Sequence, residues 1–183
     1  HSLDSDGRAS KIIQAAIRIL RSIINLALKK HNKVHVIMAE GNHDMVSSIW
    51  LRQMFEALYE DEPRVTIDTT PLPYYAYQHG ETMICCHHGH MKKMNSLVGM
   101  MAAQFPKMWG DTTKRYAHTG HYHHLKVQED AGMTIMQHRT LAAKDAYSAR
   151  GGYHSERSAT AITYHVKHGQ VGTTTVCPEM LDE

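Results

Sequence analysis

At 183 residues, with 42% apolar and 21% charged residues, the chain is long enough for one buried core and too apolar to be disordered. Its formal net charge of +2 is too small to imply a nucleic-acid partner by itself. No apolar run reaches the roughly eighteen residues that a membrane-spanning helix needs, and the N-terminus does not read as a signal peptide. Histidine is the outlier, with 16 copies gathered in glycine-bearing turns rather than in a terminal tag. That pattern suits metal ligation or acid–base work.

Taken in order, residues 1–7 are polar, with Asp4 or Asp6 suited to cap a helix. Residues 12–30 have helical periodicity. Ile13, Ile17, Leu20, Ile24 and Ala27 share one face, and Lys11, Gln14, Arg18, Arg21, Asn25 and Lys29 the other. Residues 34–38 form an apolar strand that runs into the turn Gly41-Asn42-His43-Asp44. A second helix is predicted over 47–59, with Ile49, Trp50, Leu51, Met54, Phe55 and Leu58 as its apolar stripe and Asp61-Glu62-Pro63 as its stop. The β-branched run 65–67 predicts a strand. Residues 74–78 and 82–86 read as a hairpin about His79-Gly80-Glu81. Its second strand ends in His87-His88-Gly89-His90. A methionine-rich helix over 91–105 is expected to pack into the core and to stop at Pro106 and Gly110. A strand at 115–119 leads into Gly120-His121-Tyr122-His123-His124. Hairpins follow over 125–137 and 159–176, separated by the irregular stretch 139–152. No linker or repeat divides the chain, so one domain over 1–183 is expected.

Cys85 and Cys86 are adjacent in a strand and would point to opposite faces. With Cys177 they make no Cys-x-x-Cys pair, which excludes a zinc ribbon. Buried thiols and no signal peptide predict a reducing, cytoplasmic compartment. A lone Gly-Asn-His-Asp is usually a turn with a helix cap. Three histidine turns that each close a strand are harder to explain that way. If the last of them stays extended, His121 and His123 point to one side, as do His88 and His90.

The motifs Gly41-Asn42-His43-Asp44, His88-Gly89 and Gly120-His121-Tyr122-His123 resemble, in content and order, those of the calcineurin-like metallophosphoesterases. The likeness is strongest from Val34 to His124. A weaker one, through His138-Arg139-Thr140-Leu141-Ala142-Ala143, is to phage and prophage members of the DNA repair exonuclease type, which would place the protein in a host cytoplasm. The resemblance implies an α/β fold, an α/β/β/α sandwich of two facing sheets flanked by helices. It also implies two divalent ions, with manganese favoured and iron or zinc as alternatives. Asn42, His88 and His121 would bind the second metal and His123 the first. His43 would act as general acid or charge stabiliser, supported by Asp44. The implied chemistry is hydrolysis of a phosphoric ester by a metal-activated water, on phosphodiester bonds of nucleic acid and away from any membrane.

The family also carries an Asp-x-His on its first strand and a Gly-Asp on its second, and neither lies upstream of Val34. The expectation is a domain lacking its first two strands, with His1, Asp4 and Asp6 as poor substitutes. Such a segment would bind one metal weakly and turn over little. Two other readings stay open: a phosphomonoesterase or cyclic-nucleotide hydrolase, and a catalytically degenerate, metal-poor scaffold. Arg139 and His90 are candidate substrate contacts, Arg139 because a guanidinium matches phosphate oxygens. Lys144 and Arg150 read as surface charge, Tyr147 and Tyr153 as base stackers or packing residues, and His118 and His124 as strand-surface residues.

Overall fold

The computed structural model describes residues 9–142 and 155–181. His1, Asp4, Asp6, Ala143, Lys144, Tyr147, Arg150, Gly151, Gly152 and Tyr153 lie outside them. In chain order the elements are α1 (Ala9–Leu28), β1 (Val34–Val36), α2 (Met45–Leu58), β2 (Val65–Ile67), β3 (Tyr75–His79), β4 (Thr82–His87), α3 (Met94–Gln104), α4 (Pro106–Gly110), β5 (Lys114–Thr119), β6 (Lys126–Asp130), β7 (Met133–Gln137), β8 (Ala159–His165) and β9 (Gly169–Val176). A 3-10 turn, Pro178–Leu181, follows. The result is a mixed α/β fold, a central sheet flanked by helices, as expected from the sequence.

The five-stranded sheet has the order β3-β4-β5-β7-β6. Its middle strands β4, β5 and β7 run parallel, and both edge strands pair antiparallel to them. Strand alternation sorts its residues to two faces. Met83, Cys85, Ala117, Met133 and Ile135 pack on one side with Met94, Leu97, Val98 and Met101 of α3 into an apolar core. The methionine face is core packing, as its spacing predicts. Tyr75, Tyr77, Cys86, Tyr116 and His118 take the opposite face, in register across β3, β4 and β5. The two cysteines therefore divide, Cys85 into the core and Cys86 away from it.

That second face meets another strand layer in two pieces. The parallel pair β1–β2 lies over one part, with His35 stacked on Tyr77 at 4.9 Å between ring centres. The hairpin β8–β9 covers another, with Tyr164 4.8 Å from the Tyr116 ring. Val34, Val36, Val65 and Ile67 face outward to α1 and α2, where Ile24 and Phe55 centre a second apolar cluster. Helices, strand pairs, sheet and helices thus stack in four layers.

Several local expectations need correction. In α1, Ile24 is buried and Ile17, Leu20 and Leu28 pack beside it, but Ile13 is 57% exposed and outside that cluster. In α2 the buried line is Ser48, Arg52 and Phe55, while Trp50 is 75% exposed and Ile49, Met54 and Leu58 are also exposed. Burial of an arginine displaces the apolar stripe towards solvent. Pro106 does not end the helical region; it opens α4 from the first-turn position, where its fixed φ and missing N–H cost nothing.

Candidate metal centre

The motif residues converge because their strands are parallel. β4 and β5 end side by side, His87 opposite Thr119 in register. His88 and Gly120 follow at once, and the Gly120 N–H donates to the His88 carbonyl at 3.0 Å. Gly89 lies at φ +106°, and a Cβ there would come within 3.2 Å of the Gly120 carbonyl oxygen. Glycine is thus demanded by both backbone conformation and space. The Asn42 turn approaches from β1. A Cβ on Gly41 would sit 2.8 Å from Asp44 Oδ1, so the absent side chain is what lets the Asp44 carboxylate close this turn, with His88 Cε1 3.6 Å away in ordinary contact.

The side chains meet at that edge. Asn42 Oδ1 and His88 Nε2 are 3.2 Å apart. The His88 ring lies 5.1 Å from His121 and 5.3 Å from His90, and His90 lies 6.2 Å from His121. Burial, then the neighbouring His121 and His90, lowers the His88 pKa. Burial, then His90 and His123, lowers that of His121. Both rings are therefore held neutral, the form that ligates metals.

His121 and His123 have φ values of 66° and 58°, left-handed conformations that are uncommon away from glycine. β5 ends at Thr119, so the extended geometry expected to align the two side chains is absent. The Tyr122 N–H donates to the Gly120 carbonyl at 2.8 Å, a tight turn about His121. His121 enters the ring cluster; His123 stays exposed and acts on His88 and His121 through its charge. His90 reaches the cluster although Gly89 breaks the extended path. Its Nδ1 is buried without a hydrogen-bond partner.

His43 and Asp44 are exposed at the rim. Asp44 Oδ1 accepts the Gly41 N–H at 2.7 Å. Its carboxylate therefore shapes the turn that carries His43. Arg139 lines a cleft of about 550 Å³ with His138, Thr160 and Tyr164, and its guanidinium pairs with Glu156 at 2.8 Å. That ion pair neutralises the charge a phosphate would use.

Donor chemistry supports a cation here. Metal–nitrogen and metal–oxygen bonds of about 2.0–2.2 Å hold adjacent ligand atoms roughly 2.8–3.1 Å apart in octahedral and roughly 3.3–3.6 Å apart in tetrahedral geometry. The Asn42 Oδ1–His88 Nε2 spacing of 3.2 Å, a hydrogen-bond contact, lies between the two. Neutral imidazoles with an amide oxygen suit a borderline divalent ion. Among the described residues, however, no three His, Cys, Asp or Glu side chains are grouped as a metal would need. The residues fit the start of one site: two donors in place, with His121 and the unpartnered His90 beside them.

No protein-family model matches this sequence. No curated protein matches it. Solved structures that align with the chain include a conserved uncharacterized protein, a predicted phosphoesterase, from Streptococcus pneumoniae, at 11% identity and TM-score 0.36 over 79% of this chain and 89% of that one. Vacuolar Protein Sorting 29 from Cryptosporidium parvum aligns at 18% identity and TM-score 0.34 over 68% and 75% of the two chains. A Vps29 double mutant from Entamoeba histolytica aligns at 13% identity and TM-score 0.34 over 79% and 94%. At these values the likeness carries no argument, and the reading of the site rests on its residues.

Sequence reasoning missed two polar groups. One is Arg52 with Glu40 and Tyr75, behind the Asn42 turn. The other is His118, expected on the surface but bound by both ring nitrogens, to His138 Nε2 and to the Tyr164 hydroxyl, each at 2.8 Å. Burial, then His138, pushes its pKa down to about 4. The alternation of β4 and β5 could have placed His118 beside Cys86, inside the second layer; nothing in the local sequence pointed to its partners. His124 is exposed, as expected.

Proposed function

We propose that the protein hydrolyses phosphoric esters with a divalent metal, and that its substrate is a phosphodiester of nucleic acid. The observation that carries this reading is the 3.2 Å approach of Asn42 Oδ1 and His88 Nε2, from separate strand layers, beside the His121 ring. When bound, a divalent ion would acidify a water and offset charge growing on the phosphoryl oxygens. Asn42 and His88 would hold that ion, with His121 beside them. His123, in the same turn, would serve the other ion of a pair. His43, exposed at the rim, would donate a proton to the leaving oxygen. His90 would contact the substrate beside the ring cluster, and Arg139 would do so only after release from Glu156.

The test is manganese binding together with turnover of a chromogenic phosphodiester. His43→Ala is expected to lower turnover about 100-fold while metal content stays at the unsubstituted level. Equal loss of metal and turnover would overturn the acid role. A second reading, a metal-poor scaffold, is favoured by the incomplete grouping of ligands among the described residues. Failure of the unsubstituted protein to take up manganese would select it.

A further inference from the structure

Arg52 is 2% exposed in the middle of α2, where a leucine or methionine would fill the space without burying charge. Its guanidinium donates to the Tyr75 hydroxyl and lies 3.7 Å from the Glu40 carboxylate. The Glu40 N–H also points at the Tyr75 hydroxyl, at 3.4 Å. Glu40 immediately precedes the Gly41-Asn42 turn. Tyr75, 1% exposed on β3, pairs in register with Cys86, two residues before His88. A single phenol thus ties the backbone leading to Asn42 to the strand leading to His88.

Buried ion pairs often contribute little net stability, because desolvation offsets the attraction between the charges. The location of this group suggests another use. We infer that Arg52 and Tyr75 are positioning residues that hold the Gly41–Asn42 turn against β4 and keep Asn42 Oδ1 beside His88 Nε2. This rests on the metal reading for its purpose, though not for its geometry. The guanidinium and phenol touch neither ion nor substrate; they act through the Glu40 backbone. Within the turn itself the other tie at this point is local, the Gly41 N–H donating to Asp44 Oδ1 at 2.7 Å, and it does not reach β4.

The probe is cobalt(II) alone, titrated by its visible absorption, alongside amide hydrogen exchange. Tyr75→Phe keeps the ring and removes the acceptor. It is expected to leave the circular dichroism spectrum unchanged, to speed exchange at residues 40–42 about tenfold, and to weaken cobalt binding about tenfold, as loss of a partner behind a ligand does. Arg52→Met should do the same, with Arg52→Lys recovering part of both losses. Wild-type exchange at 40–42 in folded Tyr75→Phe would overturn the inference. So would acceleration spread equally over α3, which marks a general loss of stability. If the unsubstituted protein takes up no cobalt, the metal reading fails separately, and exchange at 40–42 alone decides for or against the positioning role.

Discussion

Two groups of histidines flank the end of β5, and they have opposite characters. His118, inside the strand, has both ring nitrogens engaged, by His138 and Tyr164. Beyond the strand end, His88, His90 and His121 stand 5.1–6.2 Å apart in ring centres, with His90 Nδ1 unpartnered. Burial lowers the pKa of His118 and His138 in the first group and of His88 and His121 in the second. The difference teaches that nitrogen availability, rather than the number of imidazoles, separates a structural cluster from a ligand-ready one. Regular strand pairing encloses the first group, and the turns at the carboxyl edge leave the second open, where parallel sheets present reactive groups.

The largest effect that could break this comparison is His88→Ala. Cobalt affinity is expected to fall about 100-fold, roughly 2.7 kcal/mol, with the urea midpoint of the metal-free protein little changed. Unaltered affinity by calorimetry would remove the open cluster from consideration. Next is His118→Phe, which strips partners from His138 and Tyr164. A loss of about 1–3 kcal/mol in unfolding free energy is expected, without change in cobalt affinity.

The same residue predicts a pH dependence. Its folded pKa, near 4, lies below the ordinary histidine value of 6.5, so the unfolded chain takes up the proton first on acidification. The stabilising contribution is complete above pH 6.5 and declines as pH falls from 6.5 towards 4. The slope is about 1.4 kcal/mol per pH unit within that window, and it should flatten by about one proton in His118→Phe when urea melts are compared at several pH values. The smallest expected effect is that of His124→Ala, an exposed side chain in the same turn as the ligands, at under about 0.5 kcal/mol and with unchanged metal uptake.

Much of the architecture was legible because it rests on periodicity. β2 and the hairpins β3–β4, β6–β7 and β8–β9 fall within a few residues of where alternation and turn residues put them. The motif glycines marked the strand ends because a turn at φ +106°, or a carboxylate oxygen 2.8 Å from where a Cβ would stand, admits little else. What was not legible depends on contacts between distant segments. Arg52 breaks the pattern of α2, and its burial follows from Tyr75 and Glu40, 23 and 12 positions away in sequence. The backbone of His121 and His123 departs from a strand in a way that residue identity does not announce. Asp44 accepts from the Gly41 N–H of its own turn, for the same local reason that aspartate is common in turns.

The supports beneath Asn42 and His88 are unequal. Asn42 hangs from β1, three residues long and paired to β2 over three rungs, whereas His88 and His121 stand on the broad sheet with its methionine core. Small strand pairs open at lower free energy than the centre of a large sheet. An ion gripped between them would fasten the weaker wall to the stronger, so saturation should quiet the fluctuations of α1, β1 and α2 far more than those of α3.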